Sequence, residues 1–383
     1  MAAVNAQRLK HLFLELVQID SLSRHESACA ARLRRELEAL GASCRFDGAG
    51  ARVGGEVGNL IAHLAGNKPG VPPLLLSAHM DTVAPGEGVR PVVEGDIIRS
   101  DGRTVLGGDD KSGIAIICEV IHRLHEAHIP HGPIDVVFTI CEEIGLQGAR
   151  HLDLSLVTAR EGLVFDSDAP GCLFVRGPAS QSLEFTVHGL EAHAGMAPER
   201  GLSAIKIAGE AIAAMRLGRI DDETTANLGI INGGRALNVV PNRVTVRGEA
   251  RSRNAAKLTA QVEHMAECFR QAVARHRVTL DGRLFTARFD YRADTQYQAM
   301  NVSEDAPIVT KVIEAARRTG REVKPESCGG GCDANIFNHR GLVVANLGTG
   351  MRDIHTVREW VNIQDMIGTA EVTLELVQLQ AGG

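Results

Sequence analysis

The sequence predicts an α/β domain, with a mixed but largely parallel sheet covered by helices, that is interrupted by a smaller α+β domain. At both ends of the chain, short apolar runs typical of buried strands alternate with amphipathic helical segments, as in a sheet covered on both faces. Between them, residues 179–297 follow a different order. The chain has 383 residues, 44% of them hydrophobic, which is enough for two or three domains with ordinary cores.

The outer domain is predicted to comprise residues 1–178 and 298–383. Its helices are predicted from apolar residues at helical spacing, and its strands from short runs of apolar and β-branched residues. Helices are expected at residues 6–19, in a second segment ending at residue 40, and at 111–127, 306–318 and 363–379. Strands are expected at residues 59–64, 74–78, 134–141, 162–165 and 342–346.

The inserted domain, residues 179–297, is predicted to be ferredoxin-like and to act as a lid or dimerisation domain. Its segments follow the order strand, helix, strand, strand, helix, strand, which is the split arrangement of that fold. They are residues 182–187, 204–215, 226–231, 243–250, 255–275 and 286–291. Because such a unit has edge strands that can pair with a second copy, a homodimer through this domain is expected.

Charge and composition argue against several classes of function. The 41 Lys and Arg against 47 Asp and Glu give a formal net charge of -6, which disfavours a nucleic-acid partner. The amino-terminal segment does not resemble a signal peptide, and the longest apolar runs are far shorter than a membrane span. The eight cysteines contain no CxxC pair. A reduced, cytoplasmic protein without membrane association is therefore expected.

Four of the apolar segments lead into histidine or acidic residues. Because ligands bind beyond the carboxyl ends of strands in open α/β sheets, these side chains are predicted to converge on one crevice. Taken singly, each has an ordinary explanation, such as a helix N-cap or an exposed turn, but their joint placement favours a site. The residues are His79, Asp81, Glu142, Glu143, Asp166, Asp168, Asp353 and His355, with Asp109 and Asp110 at the start of a helix.

Several carboxylates in one cleft repel one another, and a bound cation removes that problem. Two imidazoles with several carboxylates, and without a thiolate pair, favour zinc or a similar divalent ion in a catalytic site. A carboxylate shared by two ions makes a two-metal centre, with metals about 3.5 to 4 Å apart and a bridging hydroxide as nucleophile. Two divalent metal ions are therefore expected, zinc first, with cobalt or manganese as alternatives.

Longer motifs surround these residues. They are HMDTV at 79–83, GGDDK at 107–111, CEEIG at 141–145, DSD at 166–168, AHAG at 192–195 with APE at 197–199, and NVVP at 238–241. In this order they resemble the dizinc metallopeptidase family that includes tripeptidase T, glutamate carboxypeptidase, aminoacylase and succinyl-diaminopimelate desuccinylase. The sequences of the segments EEIGLQGA and AHAGMAPE are most similar to the peptidase T-like branch of this family. The resemblance covers nearly the whole chain.

The resemblance implies which residues hold the metals. His79 and Asp166 would bind one zinc ion, and Glu143 and His355 the other. Asp109 would bridge the two ions. Family structures further imply a cis peptide bond between Asp109 and the residue that follows it.

The resemblance also implies roles in catalysis. Asp81 would accept the second N–H of the His79 ring, and Glu142 would be the general base that passes a proton from water to the leaving amine. His193, in the inserted domain, would stabilise the tetrahedral oxyanion in the site of a partner subunit. Asn238 and Arg251 would contact the backbone or the carboxylate of the substrate.

The sequence therefore predicts metal-dependent hydrolysis of an amide bond in short peptides by a tripeptidase-like aminopeptidase. One alternative keeps the dizinc site but changes the substrate, giving an amidohydrolase of N-acyl amino acids or a carboxypeptidase. Another is a metal-bound binding protein without activity, which the presence of Glu142 disfavours.

Two other features are given no metal or redox role. Four histidines at helical spacing lie at the end of a helix, where the helix dipole favours them, and they are His122, His125, His128 and His131. The CGGGC segment at 328–332 is interpreted as a glycine-lined loop that gives substrate access to the backbone, rather than as a redox pair. It also lacks the Lys-Ser/Thr of a phosphate loop, so nucleotide binding is not expected.

Overall fold

Ten α-helices lie within residues 4–382, the part of the chain that the computed structural model describes. Several begin at a side-chain cap, because Asn5 accepts a hydrogen bond from the N–H of Arg8 and Ser203 accepts one from the N–H of Lys206. The helices are α1 (Ala6–Val17), α2 (Ser27–Ala39), α3 (Ala49–Val53), α4 (Gly108–Glu126), α5 (Gln147–His151), α6 (Ala204–Ala213), α7 (Ala255–Ala274), α8 (Pro307–Arg318), α9 (Asp333–His339) and α10 (Ile363–Gln380).

Twenty strands lie within the same described residues. They are β1 (Ser43–Phe46), β2 (Leu60–Leu64), β3 (Leu74–His79), β4 (Val92–Glu94), β5 (Ile97–Arg99), β6 (Ile134–Thr139), β7 (Glu161–Val164), β8 (Cys172–Gly177), β9 (Ala179–His188), β10 (Gly218–Arg219), β11 (Thr224–Gly233), β12 (Arg243–Ser252), β13 (Arg277–Leu280), β14 (Arg283–Thr286), β15 (Arg288–Tyr297), β16 (Met300–Asn301), β17 (Lys324–Ser327), β18 (Val343–Leu347), β19 (Met351–Arg352) and β20 (Trp360–Asn362). No helix in the described chain is both long and apolar enough to cross a bilayer.

The first of two compact units comprises residues up to 176, residues 301–328 and residues from 332 onward. Its main sheet has the order β1-β2-β6-β3-β7-β18-β8, with β17 beside β8. The four strands β6, β3, β7 and β18 are neighbours and run parallel to one another. Strand β2 runs antiparallel to β6, and β8 runs antiparallel to β18. Helix α4 packs on β3 and against α1 and α10. The predicted α/β class with a mixed sheet is confirmed.

A second sheet of the first unit was not predicted. It has the order β19-β20-β5-β4. Each of these strands contains only two or three residues, too few to show the alternation of polar and apolar side chains that marks a strand in sequence. Strands β19 and β20 enclose the segment that carries His355.

The second unit comprises residues 177–300 and 329–331, against a sequence prediction of 179–297 for the inserted domain. Its sheet is antiparallel throughout, in the order β10-β11-β12-β9-β15. The long strands and α6 and α7 follow the predicted order of elements, with the first strand, β9, paired to the third and the fourth as in a ferredoxin-like fold. Phe185 of β9 stacks on Phe269 of α7, with 4.5 Å between ring centroids. The hairpin β13–β14 was not predicted.

Candidate metal centre

Six ligand-type side chains meet at the carboxyl ends of the parallel strands. Their ligand atoms form three groups, within each of which all atoms lie within 4.8 Å of one another. The groups are His79, Asp109 and Asp166; His79, Glu142 and Glu143; and Asp109, Glu143 and His355. The structure thus brings together the five residues predicted as metal ligands and the residue predicted as general base.

Asp109 lies between the two imidazoles. Its Oδ1 is 2.9 Å from Nε2 of His79, and its Oδ2 is 3.2 Å from Nε2 of His355. The same His355 nitrogen is 3.0 Å from Oε1 of Glu143. One carboxylate with an oxygen directed to each side is the arrangement that a bridge between two ions requires.

Without an added cation, the carboxylates of the cluster cannot all stay ionised. Burial and the neighbouring carboxylates raise the pKa of Glu142 and Asp166 well above their ordinary values, and burial also raises that of Glu143. Hydrogen bonds to Asp109 and Glu143 raise the pKa of His355 to about 10. Four carboxylates therefore compete for two imidazoles, and divalent ions held by these oxygen and nitrogen donors would offset the excess negative charge.

Asp81 supports two parts of the cluster at once. Nδ1 of His79 lies 2.9 Å from the backbone carbonyl of Asp81 and 3.4 Å from its carboxylate, so the carbonyl is the nearer acceptor. The carboxylate instead accepts the backbone N–H groups of Glu142 at 2.9 Å and Glu143 at 3.2 Å. It also accepts the hydroxyl of Ser23 at 2.6 Å. The predicted contact with His79 is thus present, but the carboxylate mainly holds the turn that carries the two glutamates.

That turn is irregular. Strand β6 ends at Thr139, two residues earlier than predicted, because the N–H of Ile140 is bonded to the side chain of Asn59 rather than to a neighbouring strand. Cys141 has a φ of 52°, in the left-handed region that non-glycine residues rarely adopt. Glu142 and Glu143 therefore follow the strand in a turn instead of projecting from it on alternate sides.

Three further buried carboxylates hold the backbone of segments that carry the ligand-type residues. Asp110 accepts the N–H of His79, and Glu26 accepts the N–H of Cys141, which precedes the two glutamates. Glu359 accepts the N–H of Asp109 at 3.0 Å. Burial raises the pKa of all three, that of Glu359 to about 7. Asp110 was predicted with Asp109 to join the crevice from the start of a helix, whereas Glu26 and Glu359 carried no signal.

Asp166 is held in a similar way by an amide, since the side chain of Asn346 accepts its N–H at 2.9 Å.

Asp333, at the start of α9, is another buried acid that the sequence did not indicate. Its Oδ2 accepts the hydroxyl of Thr139 at 2.5 Å, and its Oδ1 has no protein partner among the described residues. Burial raises the pKa of Asp333 to about 6.

The peptide bond between Asp109 and Asp110 is cis, as the resemblance implied. Gly107 precedes it with a φ of 76°, a conformation that favours glycine. Neither aspartate caps α4 from its N-cap position, which Gly107 occupies.

The residues predicted to contact substrate all lie in the second unit. His193 is exposed, and its Nδ1 accepts the N–H groups of Gly195 at 3.2 Å and Met196 at 3.1 Å. The next residue, Ala194, donates its N–H to the carbonyl of the exposed Asn238 at 2.9 Å. Arg251 lies on β12 and donates to Glu249 at 3.0 Å. Their roles toward substrate remain predictions.

The histidines near the end of α4 and the CGGGC segment lie outside the metal centre. His122 lies 2.5 Å from Oε1 of Glu36, and Nδ1 of His131 lies 2.7 Å from the carbonyl of Gly132. Among the described residues, no disulfide bond joins Cys328 and Cys332. In the glycine run between them, a Cβ at Gly331 would lie 2.2 Å from the ring of Tyr297, so any other residue at this position would displace the ring.

Comparison with known proteins gives concordant results. The family model described as peptidase family M20/M25/M40 matches residues 75–379. The uncharacterised protein YqjE of Bacillus subtilis strain 168 is 39% identical over 376 residues, 98% of this chain and 99% of that protein.

Two solved structures align with this chain over 99% of its length and over the full length of their own chains. Aminopeptidase PepT from Bacillus cereus ATCC 10987 is 38% identical with a TM-score of 0.89. A tripeptidase from Staphylococcus aureus Mu50 is 36% identical with a TM-score of 0.93.

Proposed function

The chain belongs to peptidase family M20/M25/M40, and on that premise we propose that it is a two-metal aminopeptidase that removes the amino-terminal residue from short peptides, tripeptides above all. The observation that carries the proposal is the cluster of His79, Asp109, Glu142, Glu143, Asp166 and His355. Full-length similarity to an aminopeptidase and to a tripeptidase supports the choice of substrate.

We assign His79 and Asp166 to one ion, Glu143 and His355 to the other, and Asp109 to both. Zinc is the proposed metal, and cobalt or manganese are alternatives because nitrogen and oxygen ligands accept several divalent ions. When bound, the two ions would polarise the scissile carbonyl and lower the pKa of a water molecule. The excess of buried carboxylates described above supports this assignment.

Glu142 is proposed as the general base. It is buried beside the assigned ligands, and its backbone is fixed by the Asp81 carboxylate. It would accept a proton from the attacking water and give that proton to the leaving amine, a role worth about 10²- to 10⁴-fold in rate.

His193 is proposed to stabilise the oxyanion of the tetrahedral intermediate, acting from a partner subunit. Its Nδ1 accepts two backbone N–H groups. In the neutral ring the hydrogen must therefore be on Nε2, which leaves that atom as a donor. Asn238 and Arg251 are proposed to bind the backbone or carboxylate of the peptide, because amide and guanidinium groups suit those partners.

We also propose a homodimer formed through the second unit, in the cytoplasm. Beyond its short pairing with β10, strand β11 exposes Ile230 and Ile231, an apolar edge that a second copy would cover. No disulfide bond joins any of the eight cysteines, all of which lie within the described residues, as is usual in a reducing compartment. Light scattering on the protein and on an Ile231→Lys variant tests the dimer, since an active wild-type monomer would contradict it.

The decisive test of the activity uses the zinc-loaded and the chelated protein on a panel of di-, tri- and tetrapeptides, each free and N-acetylated, with products read by mass. We expect loss of the amino-terminal residue from free tripeptides, none from acetylated ones, and no turnover after chelation. Cleavage of the acetylated peptides would indicate an acylase, and release of the carboxyl-terminal residue a carboxypeptidase. Metal binding without any product would indicate a binding protein.

A further inference from the structure

We propose that Glu359 is a positioning residue that joins the turn carrying Asp109 to the segment carrying His355. The inference rests on the proposed function, because these two residues are the assigned bridging ligand and one of the terminal ligands. Glu359 itself is not among the groups that could hold a metal ion.

The carboxylate of Glu359 accepts hydrogen bonds from three backbone N–H groups of the turn that carries Asp109. Oε2 accepts the N–H groups of Leu106 at 2.6 Å and Gly107 at 2.8 Å, and Oε1 accepts that of Asp109 at 3.0 Å. These three N–H groups bond to the side chain of Glu359 rather than to backbone carbonyls. The carboxylate supplies the missing acceptors.

The backbone of Glu359 is tied to the His355 segment. Its N–H donates to the carbonyl of Thr356 at 3.1 Å, and the hydroxyl of Thr356 donates to the carbonyl of Asp353 at 2.8 Å. Its own carbonyl accepts the N–H of Ser100 at 3.0 Å, and the next residue begins β20. His355, with a φ of 61°, thus lies in a short turn closed on one side by Glu359.

Packing leaves the Glu359 carboxylate little freedom. The residue is 1% exposed. A Cβ on Gly108 would lie 2.8 Å from Val361 and 3.0 Å from Oε1 of Glu359, so the turn is pressed against this strand with no space for a side chain. A displacement of Glu359 would therefore move the backbone of Asp109 relative to His355, and the two imidazoles would no longer face one carboxylate.

A substitution of Glu359 by glutamine tests whether the residue acts by accepting hydrogen bonds or only by filling space. Glu359→Gln keeps the volume of the side chain, but its NH₂ group faces N–H donors and removes one of the two acceptor atoms. Glu119→Gln is the matched control, because Glu119 in α4 is also fully buried and accepts hydrogen bonds from Arg8 at 2.6 Å and from the N–H of Asn5 at 2.7 Å. Both variants replace one oxygen of a buried carboxyl group in the same unit by an NH₂ group.

The experiment measures zinc affinity by competition with a chromophoric chelator, thermal unfolding with and without zinc, and kcat and KM at saturating zinc. We expect Glu359→Gln to weaken zinc binding about 10- to 100-fold, to reduce the zinc-dependent rise in Tm, and to lower kcat more than it changes KM. Glu119→Gln should lower Tm in chelator but bind zinc as the wild type does.

Zinc affinity within twofold of the wild type in Glu359→Gln, or an equal loss in both variants, would overturn the proposal. If the Gln variant does not fold, Glu359→Asp takes its place, because it keeps the charge but withdraws the carboxylate by one methylene. A wild-type protein that binds no zinc would instead overturn the proposed function and this inference with it. Two zinc ions in the wild type with no effect of either Glu359 variant would overturn this inference alone.

Discussion

The residues of the candidate metal centre and those assigned to the substrate are held in different ways. In the first unit, His79, Asp109, Glu142 and Glu143 each have their backbone N–H bound by a buried carboxylate, and Asp166 has its N–H bound by Asn346. In the second unit, His193 and Asn238 are exposed, and their segments are joined by backbone hydrogen bonds on either side of the His193–Val239 bridge.

The difference follows from what each region has to do. Residues that bind two metal ions must be fixed within a fraction of an ångström before any substrate arrives. Hydrogen bonds to the backbone of these residues achieve this and leave their metal-binding side-chain atoms free to bind the ions. Residues that meet only the substrate can be ordered by it. Substitutions of the assigned ligands or of the residues that hold their backbone should therefore affect metal binding, and those in the second region should affect turnover alone.

The largest effect is expected from the two adjacent glutamates. Glu142→Gln should keep both ions but lower kcat about 10²- to 10⁴-fold, because it removes the base. Glu143→Gln should instead lose affinity for the ion shared with His355. Metal content and single-turnover rates of the two variants measure this, and near-normal kcat in Glu142→Gln would refute the assigned mechanism.

The exposed region is tested by His193→Ala. Loss of an oxyanion donor should lower kcat about 10²- to 10³-fold, with zinc affinity unchanged and stability within about 0.5 kcal/mol, since the side chain is exposed. Steady-state kinetics and zinc titration measure the two quantities. A variant with weakened zinc binding would break the distinction between the two regions.

A smaller effect is expected from residues that hold the backbone of the Glu142–Glu143 turn. Asp81→Asn removes an acceptor from the Glu142–Glu143 turn, and we expect a 10- to 100-fold loss in metal affinity or activity. Ser23→Ala, which removes only the donor that bonds to Asp81, should have a fraction of this effect. Equal losses in the two variants would indicate general disruption rather than positioning.

The smallest effect concerns an ion pair of the first unit that touches none of the assigned ligands. Hydrogen bonds from His122 and Arg32 lower the pKa of Glu36 to about 2, from an ordinary value of 4.5. A lowered pKa means that the stabilisation is complete above about pH 4.5 and is lost as the pH falls toward 2.

Glu36→Gln should therefore cost about 1 to 2 kcal/mol of unfolding free energy at pH 7 and little at pH 2, without changing zinc affinity. Urea denaturation at both pH values measures the difference. An equal cost at pH 7 and pH 2 would show that the charge of Glu36 does not stabilise the fold.

Much of the site could be predicted because its ligands occur in short motifs at the ends of apolar runs, and adjacent parallel strands bring such ends together. Glu26 and Glu359 could not be predicted in this way. Glu359 bonds to backbone N–H groups about 250 positions earlier in the chain, and backbone donors leave no trace in residue identity.

The same limit explains the missed parts of the fold. The strands β4, β5, β19 and β20 are too short for their alternation to be visible, and β6 was predicted to extend to Cys141 because its apolar run continues there. A side-chain bond from Asn59, distant in sequence, ends the strand two residues earlier. Local patterns thus predict which segments become strands, while long-range hydrogen bonds decide where they stop.

The position of β18 in the main sheet has a consequence for biosynthesis. Although it lies between β7 and β8, it is supplied by residues 343–347, and both His355 and Glu359 follow it. A nascent chain still attached to the ribosome therefore has a gap in the middle of its sheet and lacks one imidazole. The proposed metal ions would find a complete set of ligands only after residue 355 has been synthesised and β18 has entered the sheet, so metal loading would follow the folding of the earlier strands.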